Sequence, residues 1–206
     1  MASSPSPTAE TSAKTRTSQP ILRLRNCIVR PYAECDFSSL AEAANNPKIA
    51  RGMRDAFPQP YTTDDAKAWI SIASAASPLR DFAICHQPGE CDSDSGPGLV
   101  IGGIGLKARD DIHYRTMEIG YWLNEDFWGR GIATEAVSAF SEWAFGAFGH
   151  LIRLEAQVLE GNPASGRVLE KAGFELEGRQ KKSAEKLGVV MDTLIYCRFR
   201  GQSEDA

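Results

Sequence analysis

The sequence predicts a single mixed α/β domain with a largely antiparallel sheet. Three observations predict it. Segments over 21–31, 81–86, 99–106, 115–123, 153–159, 174–180 and 189–199 each read as a strand, with alternation of apolar and polar residues over 21–31 and 115–123. Segments with apolar residues every three or four positions lie between them and read as helices. The strands alternate with helices irregularly and end in a strand pair, which is not the regular βαβ order of a parallel sheet. The length of 206 residues suits one domain with a sizeable core.

The elements follow in order. Residues 21–31 read as the opening strand, ended by Pro31. Asp36 is placed to cap a helix running through Leu40 and Ala44 toward Asn45. Pro47 opens a short helical turn, and residues 57–61 form a rigid proline loop. Thr62 or Thr63 caps the next helix, whose Ala66, Trp69, Ile70 and Ala73 share a buried face. Residues 87–98 read as a long hairpin tip between two strands. In the strand over 115–123, Met117, Ile119, Tyr121 and Leu123 face one way, and Glu118, Gly120 and Trp122 the other. A long helix starts near Gly131 and stops at Gly149. Asn162 and Pro163 open another as N-cap and first helical residue, and Gly173 closes it. Residues 181–188 read as a polar loop between the last two strands.

Composition excludes several classes. Hydrophobic residues make up 42% and charged residues 24%, an ordinary globular balance. A net charge of −4 gives no global field favouring nucleic acid or an anionic membrane. No apolar run approaches the ~20 residues that span a bilayer. The five cysteines, Cys27, Cys35, Cys85, Cys91 and Cys197, are odd in number and lack C-x-x-C spacing. That argues against a disulfide framework or a zinc site and for a reducing, cytoplasmic setting. Residues 1–20 are rich in Ser, Thr, Pro and Ala and read as a disordered tail, 21–200 as the domain, and 201–206 as a short C-terminal tail. Nothing in the sequence sets a subunit number.

The chemistry concentrates in residues 126–135. Trp128, Gly129, Arg130, Gly131, Ile132, Ala133 and Thr134 follow a strand directly and open a helix. The glycines let the backbone approach an anion, and the helix start presents amides without intrahelical partners. The pattern is neither a dinucleotide fingerprint nor a P-loop, since it lacks the third glycine of the one and the Gly-Lys-Ser/Thr of the other.

With the strand Glu118–Leu123, the segment Asn162 to Ser165 and the run Leu169 to Phe174, this turn resembles the GCN5-related N-acetyltransferase (GNAT) superfamily. More narrowly it resembles the branch holding the ribosomal-protein-alanine N-acetyltransferases. The resemblance covers roughly 21–200 and implies an acyl-CoA N-acyltransferase fold, with the sheet splayed after residues 118–123. It implies acetyl-CoA as co-substrate, with no metal. The backbone around Tyr121, Trp122 and Leu123 then pairs with the pantetheine arm, amides from Trp128 to Thr134 hold the pyrophosphate, and Asn162 lies near the cofactor arm. The acceptor is a primary amine, of a protein N-terminus or a small molecule, attacking the thioester directly in a ternary complex. Glu118 is the candidate general base. Ser165 is the candidate partner of the departing thiolate, because Leu169 stands where many members place a tyrosine. Asp126 departs from the Gln or Arg common in the superfamily.

Plainer readings stand beside these. Glu118 can be a solvated carboxylate, Asn162 a cap, Ser165 a first-turn helix residue, and Trp128 a cover for the helix start. His86, His113 and His150 are scattered and read as surface residues. From another functional class, the alternative is a catalytically silent CoA-binding regulatory domain. A thioester hydrolase is weaker, since no Ser-His-Asp set is legible.

Overall fold

The computed structural model describes residues 19–86 and 98–201. The expected tail over 1–20 and the C-terminal tail fall almost wholly outside them, as does nearly all of the expected hairpin tip over 87–98 and, with it, Cys91. Cys27, Cys35, Cys85 and Cys197 are free thiols. Among the described residues, no group of His, Cys, Asp or Glu could hold a metal ion, and no helix is long and apolar enough to cross a membrane.

The segment expected as one opening strand is a tight hairpin, β1 (Leu22–Arg23) against β2 (Cys27–Arg30), with Leu22 opposite Val29. Its turn is held from outside. The carboxylate of Glu135 accepts from the backbone N–H of Arg25 at 2.8 Å and from Asn26 Nδ2 at 3.0 Å. Alternation alone cannot reveal a bend imposed by a residue 110 positions away.

Three helices follow. Helix α1 (Phe37–Ala44) starts after Asp36, but the Asp36 side chain makes no cap. It accepts instead from Arg30 Nη1 at 2.7 Å and Nη2 at 2.8 Å, and from the Ala33 N–H at 2.7 Å. Helix α2 (Pro47–Gly52) is capped by Asn46, which accepts from the Lys48 N–H. Helix α3 (Thr63–Ala75) opens on a reciprocal capping box between Thr62 and Asp65. It buries Ala66, Ile70 and Ala73 as expected, whereas Trp69 stands at the flank of that stripe and stays 36% exposed.

Strands β3 (Asp81–His86), β4 (Val100–Ala108), β5 (Thr116–Leu123) and β6 (Arg153–Leu159) continue the sheet. Helix α4 (Ile132–Ala147) connects β5 to β6, and α5 (Pro163–Lys171) connects β6 to β7 (Glu175–Lys186). Strand β8 (Val189–Phe199) inserts between β6 and β7, so the sheet order is β1-β2-β3-β4-β5-β6-β8-β7. Every neighbouring pair is antiparallel except β5 and β6.

The expected polar loop over 181–188 is a correction: residues to Lys186 belong to β7, and only the turn at Leu187 and Gly188 separates it from β8. The strand lies at the sheet edge, largely exposed, so no alternation marks it. Its register breaks between Leu176 and Gly178 and between Gln180 and Ala184.

Two apolar layers flank the sheet. Met117, Ile119 and Leu123 of β5 pack with Phe140 of α4, Leu154 of β6 and Leu169 of α5. On the other face Leu40 of α1 and Ile70 of α3 pack over Tyr32, Ala83 and Cys85, with Trp122 against them. The opposed facing expected along β5 therefore holds. Gly103 of β4 lies opposite Trp122, and a Cβ there would meet Trp122 Nε1 and Tyr32 Oη at 2.7 Å. Glycine makes room for the indole.

Candidate active site

Strands β5 and β6 pair only at Thr116–Arg153, Met117–Leu154 and Glu118–Glu155. Beyond Glu118 the rest of β5 runs to Leu123 with no partner on that side. The split thus begins inside the strand rather than after it. Its cause lies in the chain's own hydrogen bonding: β6 follows β8 along its whole length, and β5 follows β4. The Asn124 N–H bonds to Ile101 O of the β4 side at 2.7 Å. Alternation then turns the backbone groups of Tyr121 and Leu123 away from β4, toward the gap. The Trp128 indole donates to the Leu123 carbonyl at 2.7 Å, so Trp128, 45% exposed, braces the strand end rather than covering the helix start.

Next to this edge stands the glycine turn. Gly129 and Gly131 adopt φ +73° and +78°, and a Cβ on either would meet nothing within 4 Å. Left-handed backbone with open space in front favours glycine. Gly131 is the N-cap of α4 and supplies no side-chain cap, so the amides leading into Ile132, Ala133 and Thr134 have no side-chain acceptor from it. A helix start of this kind suits an anion. Arg130 is exposed, with its guanidinium 5.2 Å from the Phe127 ring centroid.

Acids near the turn are drawn away from it. Glu135, in the first turn of α4, is spent on the β1–β2 turn. Glu125 bonds to Lys48 Nζ and to Asn46 Nδ2 of α2, and these bonds, the lysine's first, hold its carboxyl below the usual carboxylate range. Asp126 remains exposed in the short 3-10 turn Glu125–Phe127, its N–H bonded to Asn124. An extended open edge beside an uncapped helix start with open left-handed glycines fits a ligand with a long amide-bearing arm and an anionic group, as acetyl-CoA is.

The two remaining candidates sit on opposite faces of β5. Glu118 shares its face with Trp122, and its side chain is 15% exposed. It accepts from Arg54 Nη2 at 2.5 Å. On the other face the Tyr121 hydroxyl reaches the first turn of α5. It donates to the Ser165 carbonyl at 3.0 Å and lies 2.8 Å from Ser165 Oγ. A phenol has one proton, so with that proton on the carbonyl, Ser165 is the donor of the second bond. Burial pushes the Tyr121 phenol up to about 12, so it stays protonated near neutral pH. Asn162 caps α5, accepting from the Ser165 N–H at 3.2 Å, and its Nδ2 lies 2.8 Å from where a Cβ on Gly52 would stand. Leu169 is fully buried in the core.

Sequence reasoning missed Arg54 and the hydroxyl role of Tyr121. Neither carries a local signal: Arg54 is 64 residues from its partner and Tyr121 is 44 from Ser165. His86, His113 and His150 stay outside the site; His86 lies against Phe127 and His150 against Tyr114. Phe57 and Tyr61 pack on each other, and Phe57 also on Trp122, so the proline loop over 57–61 packs into the apolar layer on that face.

Comparison with known proteins bears on this geometry. Residues 26–175 match the family model of the acetyltransferase (GNAT) domain. The uncharacterized N-acetyltransferase YoaA of Bacillus subtilis is 30% identical over 183 residues, 86% of this chain and 95% of YoaA. A ribosomal-protein-serine acetyltransferase of Escherichia coli is 34% identical over 100 residues, 48% of this chain and 55% of that protein. Among solved structures, RimL, a ribosomal L7/L12 α-N-protein acetyltransferase in complex with coenzyme A, superposes with a TM-score of 0.73 at 19% identity, covering 88% of this chain and 98% of RimL. The self-immunity acetyltransferase MccE, in complex with acetyl-CoA and AMP, gives 0.69 at 22% identity, covering 84% and 92%. The two structural likenesses speak for the fold, and the family match with the full-length relative speaks for descent. This chain therefore belongs to the GNAT family and is an acetyl-CoA-dependent acetyltransferase.

Proposed function

We propose that this protein acetylates the primary amine of a protein N-terminus by direct attack, with donor and acceptor bound together. The observation that carries the reading is the split between β5 and β6, with the uncapped α4 start and Ser165 on one face and Glu118 on the other. Acetyl-CoA supplies the reactive thioester when bound. The relative that acetylates ribosomal-protein serine supports a protein acceptor.

Each residue then has a task. Backbone amides from Trp128 to Thr134 hold the pyrophosphate, with Gly129 and Gly131 giving it close approach. The open edge at Tyr121 and Leu123 orients the arm, with Trp122 between them filling the opposite face. Asn162 fixes the start of α5 beside it. Glu118 takes the proton that the acceptor ammonium must lose, directly or through a water. A chain N-terminus has a pKa of ~7.7–8.0 against ~10.4 for lysine, so the help it needs is modest. As negative charge develops on the sulfur, the Tyr121 phenol turns its proton from the Ser165 carbonyl to Ser165 Oγ, which frees the Ser165 proton to hydrogen-bond the sulfur.

The donor half is tested by titration calorimetry with acetyl-CoA. Gly129→Val with Gly131→Val is expected to weaken binding on the order of 100-fold, since a β-branched residue resists φ > 0 and its methyls enter the space in front of the turn. Unchanged affinity removes the turn from the site. The acceptor half is tested with a panel of peptides bearing free N-termini and of small primary amines. Turnover of small amines alone moves the acceptor to that class, and acetyl-CoA binding with no turnover at all identifies a silent regulator. Tyr121→Phe keeps the ring and loses the bond to Ser165. Its kcat is expected to fall about fivefold, the worth of one hydrogen bond, with the KM for acetyl-CoA unchanged. A wild-type kcat in that variant sets Tyr121 aside.

A further inference from the structure

The last residue of α2 and the chain that follows it touch both sides of the split. Gly52 abuts Asn162 at the start of α5, Arg54 bonds to Glu118 on β5, and Lys186 Nζ at the end of β7 bonds to Asp55 Oδ1 at 2.7 Å. Phe57 then packs edge-on against Trp122, with ring centroids 5.8 Å apart. Residues 52–57 are therefore a strap fastened at several points, and Arg54 is its member aimed at the proposed base.

The pairing differs from the other ion pairs nearby. Glu155, the register partner of Glu118 on β6, is held by Arg109 at 2.6 Å and by Arg153, its neighbour two residues before on the same strand. Glu118 takes its cation from the strap instead, and the Arg54 side chain is 57% exposed. A guanidinium on a recessed carboxylate occupies the place of an acceptor ammonium. The acceptor ammonium competes with Arg54 for this carboxylate, and two cations on it repel each other; where Glu155 does hold two, the second, Arg153, stands off at 3.4 Å. When the acceptor arrives, Arg54 must leave Glu118, yet the fastenings at Asp55 and Phe57 keep it close by.

We propose that Arg54 is a specificity-determining residue that exchanges Glu118 for an acidic group adjacent to the acceptor amine. This rests on the role proposed for Glu118. The displaced guanidinium is a planar fork suited to a carboxylate, and an acceptor that brings one satisfies it. An acceptor with a neutral neighbour leaves it without a partner. The favoured class is thus a chain N-terminus followed closely by Asp or Glu.

The experiment compares two peptides with free N-termini, one beginning Ala-Glu and its match beginning Ala-Gln, using acetyl-CoA and the full-length enzyme. The wild type is expected to favour the acidic peptide about fivefold in kcat/KM, the scale of an exposed ion pair. Arg54→Ala is expected to erase that preference through KM, and Arg54→Lys to restore part of it. Equal preference in wild type and Arg54→Ala overturns the proposal, as does a wild type that favours the neutral peptide. An acceptor-free readout accompanies it. The Phe57 N–H donates to Arg54 O at 2.9 Å, and its hydrogen exchange is expected to quicken several-fold in Glu118→Gln as the strap loosens. Unchanged exchange overturns the proposal whatever the peptides do. Full turnover by Glu118→Gln with quickened exchange removes the base role of Glu118 and leaves the strap contact standing.

Discussion

Glu118→Gln is expected to lower turnover about tenfold near pH 7 for a chain N-terminus, and on the order of 10³-fold for a lysine side chain, because the variant must wait for amine that is already neutral, while acetyl-CoA affinity is unchanged. The substitution keeps the shape of the side chain and removes its ability to take a proton. Its position makes the result specific: the side chain is on the Trp122 face, away from the glycine turn, so the donor side is not touched. The pH profile gives a second reading. An amine above its own pKa needs no base, so the deficit shrinks as pH rises. For a chain N-terminus the recovery falls above ~8, and for a lysine side chain above ~10.4. Measuring kcat/KM against pH for both enzymes checks this. A deficit that is constant across the range points to positioning of the acceptor rather than proton removal.

Asp36→Ala is expected to destabilise the domain by about 3–5 kcal/mol, with a fall in Tm of roughly 10 °C. Arg30 and Asp36 form a bidentate pair with side chains only 1% and 4% exposed. Removing the acid takes the carboxylate from a buried guanidinium, which the Pro31 and Gly98 carbonyls, at 3.0 and 3.2 Å, do not neutralise. The Ala33 N–H loses its acceptor in the same stroke. Replacing both partners by apolar residues of similar size, Arg30→Met with Asp36→Leu, is expected to recover most of the loss, because no charge is then stranded. Urea unfolding of the three proteins decides it. A single-variant loss below about 1 kcal/mol contradicts a desolvated pair.

What the sequence made legible was what neighbouring residues decide. Asn162 with Pro163, and Pro47 by itself, mark helix starts because a cap and its amide, or a proline and its fixed φ, act within two or three residues. Gly129 and Gly131 mark the turn because left-handed backbone is a single-residue property. The alternation along β5 survives because its two faces meet two separate apolar layers. Long-range features were hidden. Asp36 reads as a cap, yet a buried arginine outbids the local amide for its carboxylate. The hairpin of β1 and β2 depends on Glu135, and the extension of β7 depends on pairing with β8 rather than on any pattern within it. At the candidate site, the sequence offers the glycine turn and the family resemblance offers Glu118 as a candidate, whereas the contact of Arg54 with Glu118 arises only when the chain after α2 is set against β5.

The broken register of β7 has a consequence for how copies of this chain meet. A strand at the sheet margin offers its outer row of amides and carbonyls to any passing chain, and twelve residues make a long template. This one is interrupted twice, carries Lys182 at φ 51°, and presents Arg179, Lys181, Lys182 and Glu185 along its length. A second sheet finds no continuous ladder there, and like charges would face each other in an antiparallel pairing of two such margins. The opposite margin, β1, is two residues long. Both described ends of the sheet thus discourage fibre-like growth, while the open ladder of β5 beyond Glu118 lies within the sheet, between β4 and the departing β6, rather than at a margin.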